Sequence, residues 1–143
     1  MKLDEKFRQQ LQTLLEKTKR NAVKWNKIYV EDEETWGGYR ALEFAAEVSF
    51  GDSTSIRIVR DERHGQPDVL FAELRRNEQP VFRVSAEDGT TDEAEQQDWK
   101  LLQQVYEEVL RVVTQWDKAI DVIDKALSSD SVVGLDPEPE IKF

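Results

Sequence analysis

The segment LEFAAEVSF, residues 42–50, decides the fold because apolar side chains stand at every second position. Polar and small residues occupy the positions between them. A period of two residues is the pattern of a strand with one buried face. The sequence therefore predicts a half-buried strand and a core on one side of a sheet. The apolar positions are Leu42, Phe44, Ala46, Val48 and Phe50.

Further strand-like segments lie on both sides of this one, and turn residues separate them. Residues 56–58, 69–75 and 80–84 predict three more strands. Residues 23–25 fit a short strand or an extended arm before the main strand. Because the turns between successive strands are short, the sequence predicts an antiparallel meander.

Helical periodicity marks the segments before and after the meander. Apolar spacings of four, four, three and one near the N-terminus predict a helix over about residues 3–20, ended by Asn21, which tolerates the left-handed conformation. Spacings that alternate between three and four predict a long second helix over about residues 91–128. The first stripe is Leu3, Phe7, Leu11, Leu14 and Leu15. The second seam is Trp99, Leu102, Tyr106, Val109, Val113, Trp116, Ile120, Ile123 and Leu127.

These elements predict an α+β fold with an N-terminal helix, a four- to five-stranded antiparallel β-meander and a long C-terminal helix. Each strand has only one strongly apolar face, so both helices are expected on one face of the sheet. A chain of 143 residues fits one domain. We expect that domain over residues 1–128 and a C-terminal tail over residues 129–143.

The long helix exceeds what the rest of the domain can cover. Residues 91–128 would span about 57 Å as one helix, against about 23 Å for a seven-residue strand. Either the helix breaks near Thr114 and Gln115 and folds back, or the tail covers it, or a second copy or another protein covers it. The sequence has no Gly or Pro between Gly89 and Gly134, so no residue forces the helix to break. This absence favours coverage of the helix by a partner. The candidate interface is Val113, Trp116, Ile120, Ile123 and Leu127.

Composition excludes several classes of site. The chain has no cysteine and one histidine, His64, which excludes a disulfide scaffold, a thiolate metal site and a histidine-rich zinc site. Neither a phosphate-binding glycine motif nor a nucleophile elbow occurs. The sequence thus points to no catalytic residue, no cofactor and no metal. Lacking a membrane-length apolar run and a signal-peptide pattern, it predicts a cytoplasmic protein without a membrane partner.

The net charge of −10 is unevenly distributed. Residues 1–28 carry eight Lys and Arg against three Asp and Glu, a net of +5, so the remaining residues carry −15. Either the basic segment lies against the acidic remainder, or it forms a patch for a polyanion. The overall acidity argues against nucleic acid as a partner. Trp25, inside the basic stretch, is interpreted as a core residue. The candidate basic patch is Lys17, Lys19, Arg20, Lys24 and Lys27.

The order of elements resembles that of a group of small uncharacterised bacterial proteins. The shared features are the segment LLEKT in the first helix, Trp25 soon after it, a meander, and the closing pattern LQQVYEEVLRVVTQWDKAIDVIDKAL over residues 102–127. Asn21 stands where the group has a glycine. The resemblance covers residues 1–128; it implies the fold and supplies no activity.

Three functions fit these observations. The first is a non-catalytic acidic protein–protein interaction module, regulatory or immunity-like, that acts as a dimer through its C-terminal helix. The second is a small-ligand binder or enzyme with a cleft near loop 31–39, where Trp36 and Tyr39 are candidate contact residues. The third is a nucleic-acid mimic whose carboxylates are spaced like phosphates.

Overall fold

The computed structural model describes residues 2–28, 41–62 and 65–135. These residues form three helices and one five-stranded sheet, so the predicted α+β class with an N-terminal helix is confirmed. The elements are α1 (Leu3–Lys19), β1 (Asn26–Lys27), β2 (Ala41–Gly51), β3 (Thr54–Glu62), β4 (Val69–Arg76), β5 (Gln79–Glu87), α2 (Glu93–Thr114) and α3 (Trp116–Ser128).

The sheet is a simple meander, with its strands in sequence order and every neighbouring pair antiparallel. The turn between β2 and β3 places Asp52 and Ser53 at positive φ, and the turn between β4 and β5 does the same with Asn77 and Glu78. Two-residue turns of this kind match the twist of antiparallel strands. The short strand expected near residues 23–25 is found one residue later, as β1 at Asn26–Lys27. It pairs with β2.

The helix α1 buries its apolar stripe against the sheet, as its spacing predicts. Leu3 is the exception, because it is 65% exposed at the first turn. The helix ends at Lys19, and Asn21, two residues later, has a φ of 59°. The N–H of Asn21 donates to the carbonyl of Thr18, and the N–H of Ala22 donates to the carbonyl of Lys17. This left-handed C-cap satisfies carbonyls at the end of the helix.

One core joins α1 and α2 to a single face of the sheet, which confirms the predicted placement of the first helix and of residues 93–114 of the second. Trp25 is buried in this core, and its indole N–H donates to the hydroxyl of Thr18 at 3.0 Å. The remaining buried members are Phe7, Leu11, Leu14, Leu15, Phe44, Ala46, Val48, Ile56, Ile58, Leu70, Ala72, Val84, Ala86, Leu102, Val105, Tyr106 and Val109.

Of the alternatives that the sequence left open for residues 91–128, the structure has the break near Thr114 and Gln115. The segment forms α2 and α3, and Gln115 between them has a φ of 55°. A left-handed residue cannot continue a right-handed helix, so α2 ends here and α3 begins with a different helix direction. The break occurs near the residues considered for it, although neither Gly nor Pro is present to cause it.

Hydrogen bonds close both helices around Gln115. Its N–H donates to the carbonyl of Arg111 at 3.0 Å, and its carbonyl accepts from the N–H of Lys118 at 3.1 Å. The hydroxyl of Thr114 donates back to the carbonyl of Leu110 at 2.6 Å. Serine and threonine bonds of this type bend helices, which gives the end of α2 a local physical cause.

Candidate functional site

The apolar face of α3 is exposed at four of the candidate interface residues. Trp116 is 41% exposed, Ile120 and Ile123 are each 55% exposed, and Leu127 is 64% exposed. Val113, the fifth candidate, lies on α2 and packs partly against the core. The structure therefore brings four of the five candidate interface residues together on one uncovered helix.

This face has two different edges. At 100° per residue, Ala119, Val122 and Ala126 extend the apolar arc on one side. Asp121 and Asp124 lie on the other side and are exposed. The face is thus wide, apolar and acidic along one edge only.

The break at Gln115 does not return the seam to the core, because the large apolar side chains of α3 remain exposed. The first part of the tail does not cover them either, since Val132 and Leu135 are themselves almost fully exposed. The rest of the tail, residues 136–143, lies outside the described residues.

All five residues of the candidate basic patch are exposed. They follow one another from the last turns of α1 through the connection to β1. Lys19 lies 3.7 Å from a carboxylate oxygen of Glu16 on the same helix. The patch is therefore a solvent-facing surface at the C-terminal end of α1.

Arg8, in the basic segment, contacts an acidic residue of α2. Arg8 on α1 donates to both carboxylate oxygens of Asp98 on α2, at 2.8 and 3.0 Å. It also donates to Asp4 at 3.1 Å. The bidentate hydrogen bond with Asp98 raises the pKa of Arg8 above its usual value. Arg8 thus ties the two helices together, while the patch residues remain on the surface.

The outer face of the sheet carries a ladder of alternating charge that the sequence analysis missed. Glu47, Arg57, Glu73 and Arg83 occupy facing positions on four successive strands. Arg57 donates to Glu47 at 2.6 Å, and Arg83 donates to Glu73 at 3.1 Å. The alternating apolar positions of β2 imply an outward polar face, but only the strand register places these four side chains in one row.

Glu73 is the centre of this ladder and is only 3% exposed. Burial opposes its ionisation, but hydrogen bonds from Arg83 and from Arg75 outweigh burial, so the pKa of Glu73 lies below its usual value. Arg83 also stacks over the ring of Phe71 at 4.0 Å. The carboxylate is therefore a structural anion held between two arginines.

A polar depression of about 500 Å³ lies beside this ladder and includes Arg57 and Arg75. Both guanidinium groups are already engaged by carboxylates, which leaves little positive charge for an anionic ligand. Because arginines bind Glu47 and Glu73, this row of side chains does not offer the free carboxylates that a nucleic-acid mimic needs.

Several candidate residues fall outside the described part of the chain. Loop 31–39 with Trp36 and Tyr39 is among them, as is His64. The cleft expected near that loop stays a prediction. Within residues 2–28, 41–62 and 65–135, no group of three or more His, Asp or Glu side chains is placed to share a metal ion.

Comparison of the chain with protein-family models, with curated proteins and with solved structures finds no match. The resemblance to small bacterial proteins therefore rests on the residues quoted for it alone.

None of the helices in the described residues is long and apolar enough to span a membrane.

Proposed function

We propose that this protein is a non-catalytic interaction module that binds another protein through the apolar face of α3. The exposure of Trp116, Ile120, Ile123 and Leu127 on one helix is the observation that carries the proposal. A regulatory or immunity-like role fits a small acidic protein that acts by contact, and we place it in the cytoplasm.

The energetic argument concerns what these side chains gain from a partner. Burying a large apolar side chain fully contributes about 1.5–3 kcal/mol, and each of the four is now at least two-fifths exposed. Tryptophan is enriched among the residues that dominate binding energy at protein interfaces. Trp116, at the start of α3, is thus suited to anchor such a contact.

A second copy of this chain is the partner we propose. The face of α3 is acidic along one edge, whereas residues 1–28 of the same chain carry a net charge of +5. The chain thus contains both signs of charge that a self-complementary dimer requires.

Sedimentation velocity over a range of protein concentrations tests this proposal. We expect the wild type to sediment as a dimer and the double variant Trp116→Asp/Ile120→Asp to sediment as a monomer. The matched control is Lys118→Gln/Lys125→Gln, which changes the net charge by the same amount on the opposite side of α3. It should remain a dimer. A monomeric wild type at every concentration, or a dimeric aspartate variant, contradicts the proposal.

A further inference from the structure

A groove of about 780 Å³ runs between α1 and the turn end of the sheet. Its wall on α1 includes Lys6, Gln10, Thr13 and Lys17, whose spacings of four, three and four residues place them on one side of the helix. Its opposite wall comes from β2, β3 and β4, and Phe50 on β2 is 55% exposed. The lining side chains used below are Lys6, Leu14, Lys17, Phe50 and Ile56.

This groove combines an apolar floor with one lysine at each end of its helical wall. Leu14 and Ile56 lie at its base, and the exposed ring of Phe50 stands at its side. Lys6 and Lys17 are exposed at the two ends of its helical wall. The face of α3 has the complementary character, apolar across its width and acidic along one edge.

We propose that α3 of one copy lies in the α1 groove of a second copy, and that the second copy returns the same contact. This proposal rests on the interaction function proposed above and names the surface that receives α3. The lengths agree, because Lys6 to Lys17 spans about 16 Å along α1 and α3 is about 20 Å long. The charges agree as well, since Asp121 and Asp124 lie near the middle of α3 and would fall between Lys6 and Lys17 at the two ends of the wall.

The connection to α2 keeps α3 out of the groove of its own chain. Arg8 lies on the side of α1 that faces α2, where it donates to Asp98. The groove lies on roughly the opposite side of α1. Arg111, near the end of α2, donates to the carbonyl of Thr18 at 3.1 Å, so α2 ends beside the C-terminal end of α1. One connecting residue, Gln115, cannot carry α3 across a helix about 10 Å wide and along its far side.

Direct pairing of two α3 helices would leave the acidic edge without a basic counterpart. Lys118 and Lys125 lie on the side of α3 opposite its apolar face. Asp121 and Asp124 of each copy would therefore border the interface, whereas Lys118 and Lys125 would point away from it. The groove supplies lysines of its own, which is why it is the preferred receiving surface.

Charge reversal in the full chain tests this arrangement. The first variant, Lys6→Glu/Lys17→Glu, makes the groove acidic, and the second, Asp121→Lys/Asp124→Lys, makes the edge of α3 basic. Each variant alone opposes like charges, so its dimer dissociation constant should rise by about tenfold or more over the wild type. An equimolar mixture should recover wild-type association, because both contacts then pair opposite charges.

A third variant, Phe50→Asp, tests the apolar part of the groove, and its exposed position should leave the fold intact. Sedimentation gives the mass, and circular dichroism checks that every variant is folded. Weakened single variants, a restored mixture and a monomeric Phe50→Asp protein support the proposal. A groove variant or Phe50→Asp protein that dimerises like the wild type, or a mixture that stays monomeric, overturns it. If the wild type is a dimer, results that overturn the groove arrangement leave the proposed interaction function intact. A monomeric wild type overturns the groove arrangement and the proposed dimer together.

Discussion

The hydroxyl of Thr18 accepts the indole N–H of Trp25 at 3.0 Å and donates its own proton to the carbonyl of Leu14 at 2.7 Å. Both side chains are buried. Through this pair the last turn of α1 holds the segment that leads into β1, so the chain enters the sheet from a fixed point.

The first prediction concerns this hydrogen bond. Thr18→Val keeps the shape of the side chain but leaves the buried indole N–H without its acceptor. We expect the free energy of unfolding to fall by about 1–3 kcal/mol. Urea denaturation measures the change, with Thr13→Val at an exposed position of the same helix as control. Equal stability of the two variants would show that the bond contributes little.

The second prediction concerns Glu73 and pH. Its folded pKa is lowered from a usual value of 4.5, so its ionised form stabilises the fold above that pH, and the contribution is lost as pH falls through the folded pKa. Glu73→Gln should lower the free energy of unfolding by about 2–3 kcal/mol at pH 7, because two arginines lose their carboxylate.

The difference between wild type and Glu73→Gln should shrink as the pH of the denaturation experiment falls below 4.5. Glu87→Gln, at an exposed position of β5, is the control and should have little effect at either pH. A difference that stays constant down to pH 3 would mean that ionisation of Glu73 is not its source.

The third prediction concerns the left-handed residue between α2 and α3. A residue with a side chain costs roughly 1 kcal/mol in this conformation, whereas glycine adopts it freely. Gln115→Gly should therefore keep or raise the free energy of unfolding, and Gln115→Ile should lower it by about 1–2 kcal/mol.

Gln104→Gly is the matched control for this substitution, because Gln104 is exposed within α2. Glycine in a helix interior should lower the free energy of unfolding by about 1 kcal/mol. If glycine is equally harmful at both positions, the chain continues as one helix through residue 115 in solution.

The sequence predicts the parts of this fold that depend on local periodicity. The stripe Phe7 to Leu15 predicts α1, and the alternation from Leu42 to Phe50 predicts β2 and its buried side. Asn21 marks the end of α1 correctly, because asparagine tolerates the left-handed conformation found there. Short turns between the later strands predict the meander.

Features that depend on distant parts of the chain could not be read in the same way. The seam remains regular through Gln115, a residue without a turn preference, so periodicity alone predicts one helix. Glu47 and Glu73 enter one charge ladder only because the strand register places Arg57 between them. Likewise, Phe50 continues the apolar pattern of β2, yet α1 leaves it exposed beside the groove.

Because α3 lies outside the core, the binding preference of this protein and the packing of its core can change independently. Among the described side chains of α3, none is buried in the core, so a substitution on its face does not have to preserve packing inside the domain. New binding preferences can therefore arise there without a loss of foldability. The core residues of α1, α2 and the sheet lack this freedom, because each of them must fit its neighbours within the same chain.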